Sequence, residues 1–385
     1  MQIYLDHSAT TPTRPEAIAA MTDALTRVWG NPSSLHAWGQ AAATAIERAR
    51  MQVAQLLSAE PESIVFTSGG TESNNWVLSS IARQYDIPQH LIVSSVEHSA
   101  VLAPARMLEA LGWDVTYLPV DRSGRVHPSD LQRALRPDTV LVSVIYGQSE
   151  VGTVQPIRVL ADIARSRGVP FHTDAVQVAG RLPLDVQQLC VDFLSLSSHK
   201  LYGPKGIGAL YVRPGLTLPP LLSGGGQEGG LRSGTQAVPN IAGFGVAAEL
   251  AVQELEAEAQ RLASLRDRLF DRLSDVPMLI PTGHRTHRLP HHVSFCLDRR
   301  DDLVTGRSIV RQLNLAGIAI SSGSACHSGQ LTPSPVLSAM GYNDRMATTG
   351  LRLTLGHSTT EADIDWTAMV LKQVLARSRP MVEMK

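Results

Sequence analysis

Short apolar runs alternate with helix-length amphipathic stretches along the first two thirds of the chain. Residues 63–67 precede a glycine turn and a helix through Ile81, and further apolar runs follow at 91–93, 115–118, 140–145, 169–172 and 193–196. That rhythm predicts a mainly parallel sheet whose strands are joined by crossover helices. Residues 209–212, after a glycine-rich turn, read as an antiparallel addition to it. A loop opening on Gly224-Gly225-Gly226 leads into a helical stretch at 239–273, rich in Ala, Leu, Glu and Arg, which marks the boundary to a second unit. Beyond it, 293–297, 318–320 and 351–355 read as strands between helices, so the last third is expected to form a compact α/β domain. At 385 residues the chain exceeds one ordinary core, and the expected fold class is α/β, a large domain plus a smaller C-terminal one.

Charge narrows the partners. Lys and Arg number 34 against 35 Asp and Glu, so the net charge of -1 gives no reason to expect nucleic acid or a membrane surface as the main partner. A small-molecule substrate fits better. The three cysteines, Cys190, Cys296 and Cys326, lie far apart without metal-ligand spacing, which argues for a reducing compartment and against a disulfide framework or a metal site. Cys190 and Cys296 sit in apolar runs and read as packed thiols. The first residues lack a basic segment followed by an apolar one, and no run of about 18 apolar residues occurs, so a soluble, cytoplasmic protein is expected.

In open α/β sheets ligands collect at the carboxyl ends of strands, so the polar residues just past each apolar run carry the chemical signal. The fullest is Leu194-Ser195-Leu196-Ser197-Ser198-His199-Lys200-Leu201-Tyr202-Gly203-Pro204-Lys205-Gly206. Lys200, directly after a small polar run and a histidine, is placed to form a Schiff base with an aldehyde cofactor, for which pyridoxal phosphate is the leading choice. Thr67-Ser68-Gly69-Gly70-Thr71-Glu72-Ser73 lets the backbone turn tightly and faces helix-start amides outward, which suits a phosphate and equally an ordinary turn. Asp174, after 169–171, suits a protonated pyridine nitrogen or a helix N-cap. His98, after 91–93, suits stacking on a cofactor face or a structural place. Taken singly each signal is weak. Together, at strand ends of one sheet, they describe one site.

These motifs also carry a resemblance. Tyr4-Leu5-Asp6-His7-Ser8-Ala9-Thr10-Thr11-Pro12, Gly30-Asn31-Pro32-Ser33-Ser34-Leu35-His36, the glycine turn continued through Asn74-Asn75, the lysine segment, Arg232-Ser233-Gly234-Thr235 and Ser321-Ser322-Gly323-Ser324-Ala325-Cys326 are similar, in order, to the cysteine desulfurases of the NifS/IscS type. Those belong to the class V aminotransferase-like, fold type I pyridoxal phosphate enzymes. The resemblance implies that Lys200 holds the cofactor, Asp174 faces its ring nitrogen, Gln177 lies near the ring hydroxyl and His98 stacks on the ring. It implies Gly70, Thr71, Ser197 and His199 as phosphate ligands. Thr235 matches a threonine that completes the neighbouring subunit's phosphate site, which implies a homodimer. Arg352 is implied as the clamp on the substrate carboxylate, and Cys326 as the catalytic cysteine that takes sulfur from L-cysteine as a persulfide. The implied domains are 16–257 for the cofactor, and 1–15 with 258–385 for the unit carrying Cys326.

The implied reaction converts L-cysteine to L-alanine, with Lys200 moving the Cα proton, His98 shuttling protons and the sulfur passing to an acceptor protein for iron-sulfur assembly or tRNA thiolation. His327 beside Cys326 is expected to lower the thiol pKa when protonated. Two positions depart from the family pattern: Ser149 in Gln148-Ser149-Glu150-Val151-Gly152 replaces an asparagine near the phenolic oxygen, and Gly229 replaces an arginine after Glu228. They leave open a weakened paralogue acting as a sulfur-relay partner, and a selenocysteine or cystine lyase of the same fold stays a second alternative.

Overall fold

The structure, a computed structural model, describes residues 2–298, 305–323 and 332–377. Strand β1 (Ile3–Tyr4) lies outside the large sheet. The large sheet holds β2 (Ile64–Thr67), β3 (His90–Ser94), β4 (Asp114–Leu118), β5 (Thr139–Ser143), β6 (Phe171–Asp174), β7 (Phe193–Ser197) and β8 (Gly208–Val212). Their order across the sheet is β2-β8-β7-β6-β5-β3-β4, and every neighbouring pair is parallel except those made by β8, which runs against both β7 and β2. The expected antiparallel addition is therefore interior rather than at an edge.

Parallel strands covered by helices on both faces bury residues of either parity. Ile92, Val142, Phe171 and Leu194 pack on one side with Phe244. Leu91, Val93, Leu141 and Phe193 pack on the other with Trp76. Two strands shift from their expected bounds. β6 starts at Phe171 because Pro170 has no N–H, and the Val169 amide closes the preceding helix by donating to the Ala164 carbonyl (3.1 Å). It then runs on through Asp174, making that carboxylate the last residue of the strand. β5 ends at Ser143, and beyond it the Ile145 amide donates to the buried Glu97 carboxylate (2.5 Å).

The helix Val238–Leu273 is 36 residues long and serves two cores. Val238, Ile241, Phe244 and Ala247 pack with the large sheet, whereas Leu262, Leu265, Leu269 and Leu273 pack with Ile3, Leu5 and the later strands. Those strands are β9 (Leu279–Pro281), β10 (His292–Leu297), β11 (Ile318–Ala319), β12 (Ser321–Ser322) and β13 (Leu351–Thr354). Four form an antiparallel sheet ordered β12-β13-β10-β9, and β11 pairs in parallel with β1. Cys190 and Cys296 are buried free thiols, and burial pushes Cys296 up to about 12, so it stays protonated. Among the described residues, no helix is long and apolar enough to cross a membrane.

The glycine turn after β2 fits because β8 presses against it. A Cβ on Gly208 would stand 2.5 Å from the Leu196 carbonyl oxygen and 2.6 Å from Gly69 Cα. Gly208→Ala is therefore expected to cost about 1–3 kcal/mol through overpacking, read as a lower urea midpoint; an unchanged midpoint would contradict this close approach.

Candidate active site

The carboxyl ends of β2, β3, β6 and β7 face a cavity of about 250 Å³. Gly70, Thr71, His98, Ser149, Asp174, Gln177, Ser197, His199, Lys200 and Arg352 all line it. Arg352 comes from β13 of the small sheet, so both sheets contribute walls. Thr235 is exposed in the loop before the long helix and does not line this cavity. Cys326 and His327 lie outside the described residues.

Lys200 is half-buried, and its Nζ donates to the carbonyl oxygens of Ser8 (2.6 Å) and Ala9 (2.7 Å). Burial, and after it the Arg352 guanidinium, lowers its pKa from the usual lysine value to about 8. A minor but appreciable fraction of the amine is therefore neutral, and nucleophilic, near physiological pH. Asp174, almost fully buried at the end of β6, accepts from Asn74 Nδ2 (2.6 Å) and from the Val176 amide (3.0 Å). It thus makes the local turn bond of a cap while its carboxylate also lines the cavity. His98 likewise does two things: its Nδ1 caps the helix Ser99–Ala110 by accepting from the Ala100 amide (3.1 Å), and its ring stays exposed at the cavity wall.

The helix Gly70–Ala82 starts at the cavity, and its first amides have no intrahelical acceptor. Gly70 is needed there, since a Cβ would meet Val176 Cγ2 at 2.7 Å. His199 bonds to Thr10 Oγ1 (3.1 Å), and burial with the nearby Lys200 lowers its pKa to about 4, so the ring is neutral. Arg352 Nη2 pairs with Asp6 (2.8 Å), Nη1 donates to the Ser149 carbonyl (3.2 Å), and buried Nε has no partner among the described residues. A free buried N–H on a guanidinium calls for an acceptor. Amides at a helix start, a buried carboxylate, a lysine of lowered pKa and this orphan donor match, in turn, the phosphate, the ring nitrogen and the aldehyde of pyridoxal phosphate and the carboxylate of an amino-acid substrate.

Several residues at or beside the cavity were assigned no role from sequence. Ser8 and Ala9 supply the lysine's acceptors, Asp6 orients Arg352, and Asn74 holds Asp174. Gln177 Nε2 also donates to the Ser8 carbonyl (2.9 Å). Asp6, Ser8 and Ala9 lie in the small and polar run after Leu5, and Asn74 in the glycine-turn motif; Gln177 already had a place by the resemblance.

A profile of the Aminotransferase class-V family matches residues 3–366. The chain is 46% identical to the cysteine desulfurase IscS of Dictyoglomus turgidum, over 98% of this chain and 95% of that protein. Among solved structures, a NifS-like protein superposes with a TM-score of 0.91 at 35% identity, covering 98% of this chain and 100% of that one. The structure of SspA in complex with cysteine matches at 36% identity and a TM-score of 0.80, over 92% and 99% of the two chains. The chain belongs to the class-V aminotransferase family, pyridoxal phosphate enzymes of fold type I, and within it to the cysteine desulfurases of the NifS/IscS type.

The lysine environment sets a pH signature. In cofactor-free protein, reductive methylation of Lys200 should rise with pH to about 8 and then level off, while exposed lysines keep gaining reactivity toward about 10.4. Mass-spectrometric mapping across pH checks this, and a Lys200 profile that climbs with the exposed lysines would contradict it.

Proposed function

We propose that the protein is a pyridoxal phosphate-dependent cysteine desulfurase that converts L-cysteine to L-alanine and passes the sulfur onward through a persulfide on Cys326. The observation that carries this reading is the convergence of Lys200, Asp174 and Arg352 on one cavity, beside the free amides of a helix start. When bound, pyridoxal phosphate supplies an electron sink for the negative charge left at Cα after proton loss.

Gly70 and Thr71 amides, with Ser197 and His199, would hold the phosphate. Asp174, fixed by Asn74, would pair with a protonated ring nitrogen. His98 would cover the ring, and Gln177 and Ser149 would serve the phenolic oxygen. Arg352 orients the substrate carboxylate, its guanidinium already aimed by Asp6 and the Ser149 carbonyl. Lys200 would hold the cofactor's aldehyde end, and its amine would take the Cα proton of the substrate. His98 carries protons between substrate and solvent. The Cys326 thiolate attacks the substrate sulfur: a sulfur–sulfur bond forms, the Cβ–sulfur bond breaks, and a proton at Cβ completes alanine. Cysteine and one enzyme thiol thus become alanine and one enzyme persulfide, with no external oxidant.

We further propose that residues 16–257 form a cofactor domain and residues 1–15 with 258–385 a second one carrying Cys326; the long helix, which packs in both cores, supports a boundary within it. The exposed Thr235 suits a homodimer in which it completes the neighbouring site. The acceptor is a protein of iron-sulfur assembly or tRNA thiolation, and the setting is cytoplasmic.

The test is incubation of purified protein with L-cysteine and a thiol, reading alanine, sulfide and the visible spectrum together. Lys200→Ala should lose the cofactor band typical of a lysine-bound aldehyde and slow alanine formation by about 10²–10⁴-fold or more. Cys326→Ala should keep the band and lose persulfide. A Cys326→Ala enzyme with normal turnover would sink the covalent step.

A further inference from the structure

Tyr202 lies two residues past Lys200, lines no part of the cavity and has no place in the chemistry above. Its φ is 67°, in the left-handed region that a bulky residue enters only under constraint. Glycine takes that conformation freely, so something must favour a side chain at this position. The main-chain bonds do not require one. The Tyr202 amide donates to Thr11 Oγ1 (2.7 Å) and its carbonyl accepts from the Arg14 amide (2.9 Å). Both bonds run to the strip of chain that presents the Ser8 and Ala9 carbonyls to Lys200.

The side chain reaches other parts of the fold. Its phenolic oxygen accepts from the His357 amide (2.8 Å) and from Nη2 of buried Arg181 (3.2 Å), whose guanidinium carbon lies 5.0 Å from the centre of the tyrosine ring. The ring of His7, the residue before Ser8, stands 6.1 Å away, centre to centre. These neighbours are themselves fixed. Arg261 on the long helix donates from Nη2 to the carbonyls of Gly356 (2.9 Å) and His357 (3.2 Å). Gly356 in turn makes room for His7, because a Cβ there would collide with the imidazole. One tyrosine thus ties the lysine turn to the strip before Arg14, to the segment between β6 and β7, and to the turn after β13.

We propose that Tyr202 is a positioning residue for Lys200, a strut that holds the lysine turn against the Ser8 and Ala9 carbonyls in a conformation the backbone alone would leave. Its purpose rests on the reading of Lys200 as the cofactor lysine, though its geometry does not. A turn fixed in this way leaves the side-chain torsions of Lys200 as the free motion of the amine, so the amine keeps one place from which to reach the cavity.

The experiment compares Tyr202→Gly and Tyr202→Phe with the parent, each full-length protein prepared with and without pyridoxal phosphate. Without it, reductive methylation of Lys200 is mapped across pH, with exposed Lys205 on the same stretch as internal control. Asp6, Asp174, His199 and Arg352, the ionisable groups that face Lys200, are kept in every variant. Tyr202→Gly should move the levelling point of Lys200 up from about 8, toward the ~10.4 of exposed lysines, and leave Lys205 as in the parent. The sign follows because a loosened turn lets water back to an amine whose pKa burial had lowered. On adding pyridoxal phosphate, the band of the lysine-bound aldehyde should form about 10²-fold more slowly, the effect of an ångström-scale misplacement. Tyr202→Phe, which keeps the ring beside Arg181 and loses the bond from the His357 amide, should move both readings in the same direction and less far. Parent-like Lys200 methylation in Tyr202→Gly would overturn the proposal, since a tyrosine with a purely structural role would lower the urea midpoint and leave Lys200 unchanged. If Tyr202→Gly does not fold, a Tyr202→Phe protein matching the parent in both readings overturns it. A parent that forms no band with pyridoxal phosphate would instead refute the cofactor reading, and the methylation profiles would still judge Tyr202.

Discussion

The lysine ammonium held between two main-chain carbonyls is the interaction on which the site depends. Ser8 and Ala9 present those carbonyls only because the segment around them is tied down along its length. Ile3 and Tyr4 pair with β11, Asp6 bridges to Thr354 and ion-pairs with Arg352, and the Ser8 amide donates to Thr354 Oγ1. Further on, the Thr11 hydroxyl donates to the His199 carbonyl while its oxygen accepts from the Tyr202 amide, and Arg14 forks onto Glu254 of the long helix. One irregular strip of chain therefore joins the small sheet, the lysine turn and the helix shared by both cores. Burying an amine this way lowers its pKa, and the two carbonyls keep that burial tolerable.

Much of this was legible before any coordinates. Apolar runs located the strands of the large sheet because parallel strands covered on both faces must be apolar throughout, and their carboxyl ends then marked Thr71, Asp174 and Lys200. The pattern failed where a polar side chain or an imino acid decides the outcome. Pro170 delayed the start of β6, and Glu97 drew the Ile145 amide away from β5, neither of which hydrophobic periodicity registers. Ser8 and Ala9 escaped notice for a different reason: they act through carbonyl oxygens, which every residue has. Asn74 lay in a quoted motif, but its bond to Asp174 spans 100 residues, and only the fold reveals it.

The site also sorts its acids by surroundings. Asp174 has two donors on its carboxylate. Glu97, fully enclosed nearby, accepts from Ser94 and Ile145 but leaves Oε2 without a partner among the described residues, and burial raises it to about 8, so it is largely neutral at physiological pH. A neutral Glu97 therefore does not compete with Asp174 for the same cation. The two departures from the family pattern fall outside this arrangement. Ser149 contributes its carbonyl to Arg352 and His292, a role independent of its side chain. Gly229 lies in an exposed turn at φ 64°, while the adjacent Glu228 is anchored by a bidentate bond with Arg50.

The pairing of β1 with β11 has a temporal side. A ribosome releases the N-terminus first, yet Ile3 and Tyr4 find their partners only after Ile318 and Ala319 have been made, and Asp6 waits a further stretch for Arg352. The large sheet, complete by Val212, is free to collapse long before. β1 precedes the large sheet in sequence yet is placed after it, and the carbonyls that seat Lys200 come into position only once Ile318 and Ala319 have been made. The enzyme's cofactor pocket is, in this sense, the closing knot of the chain's biosynthesis.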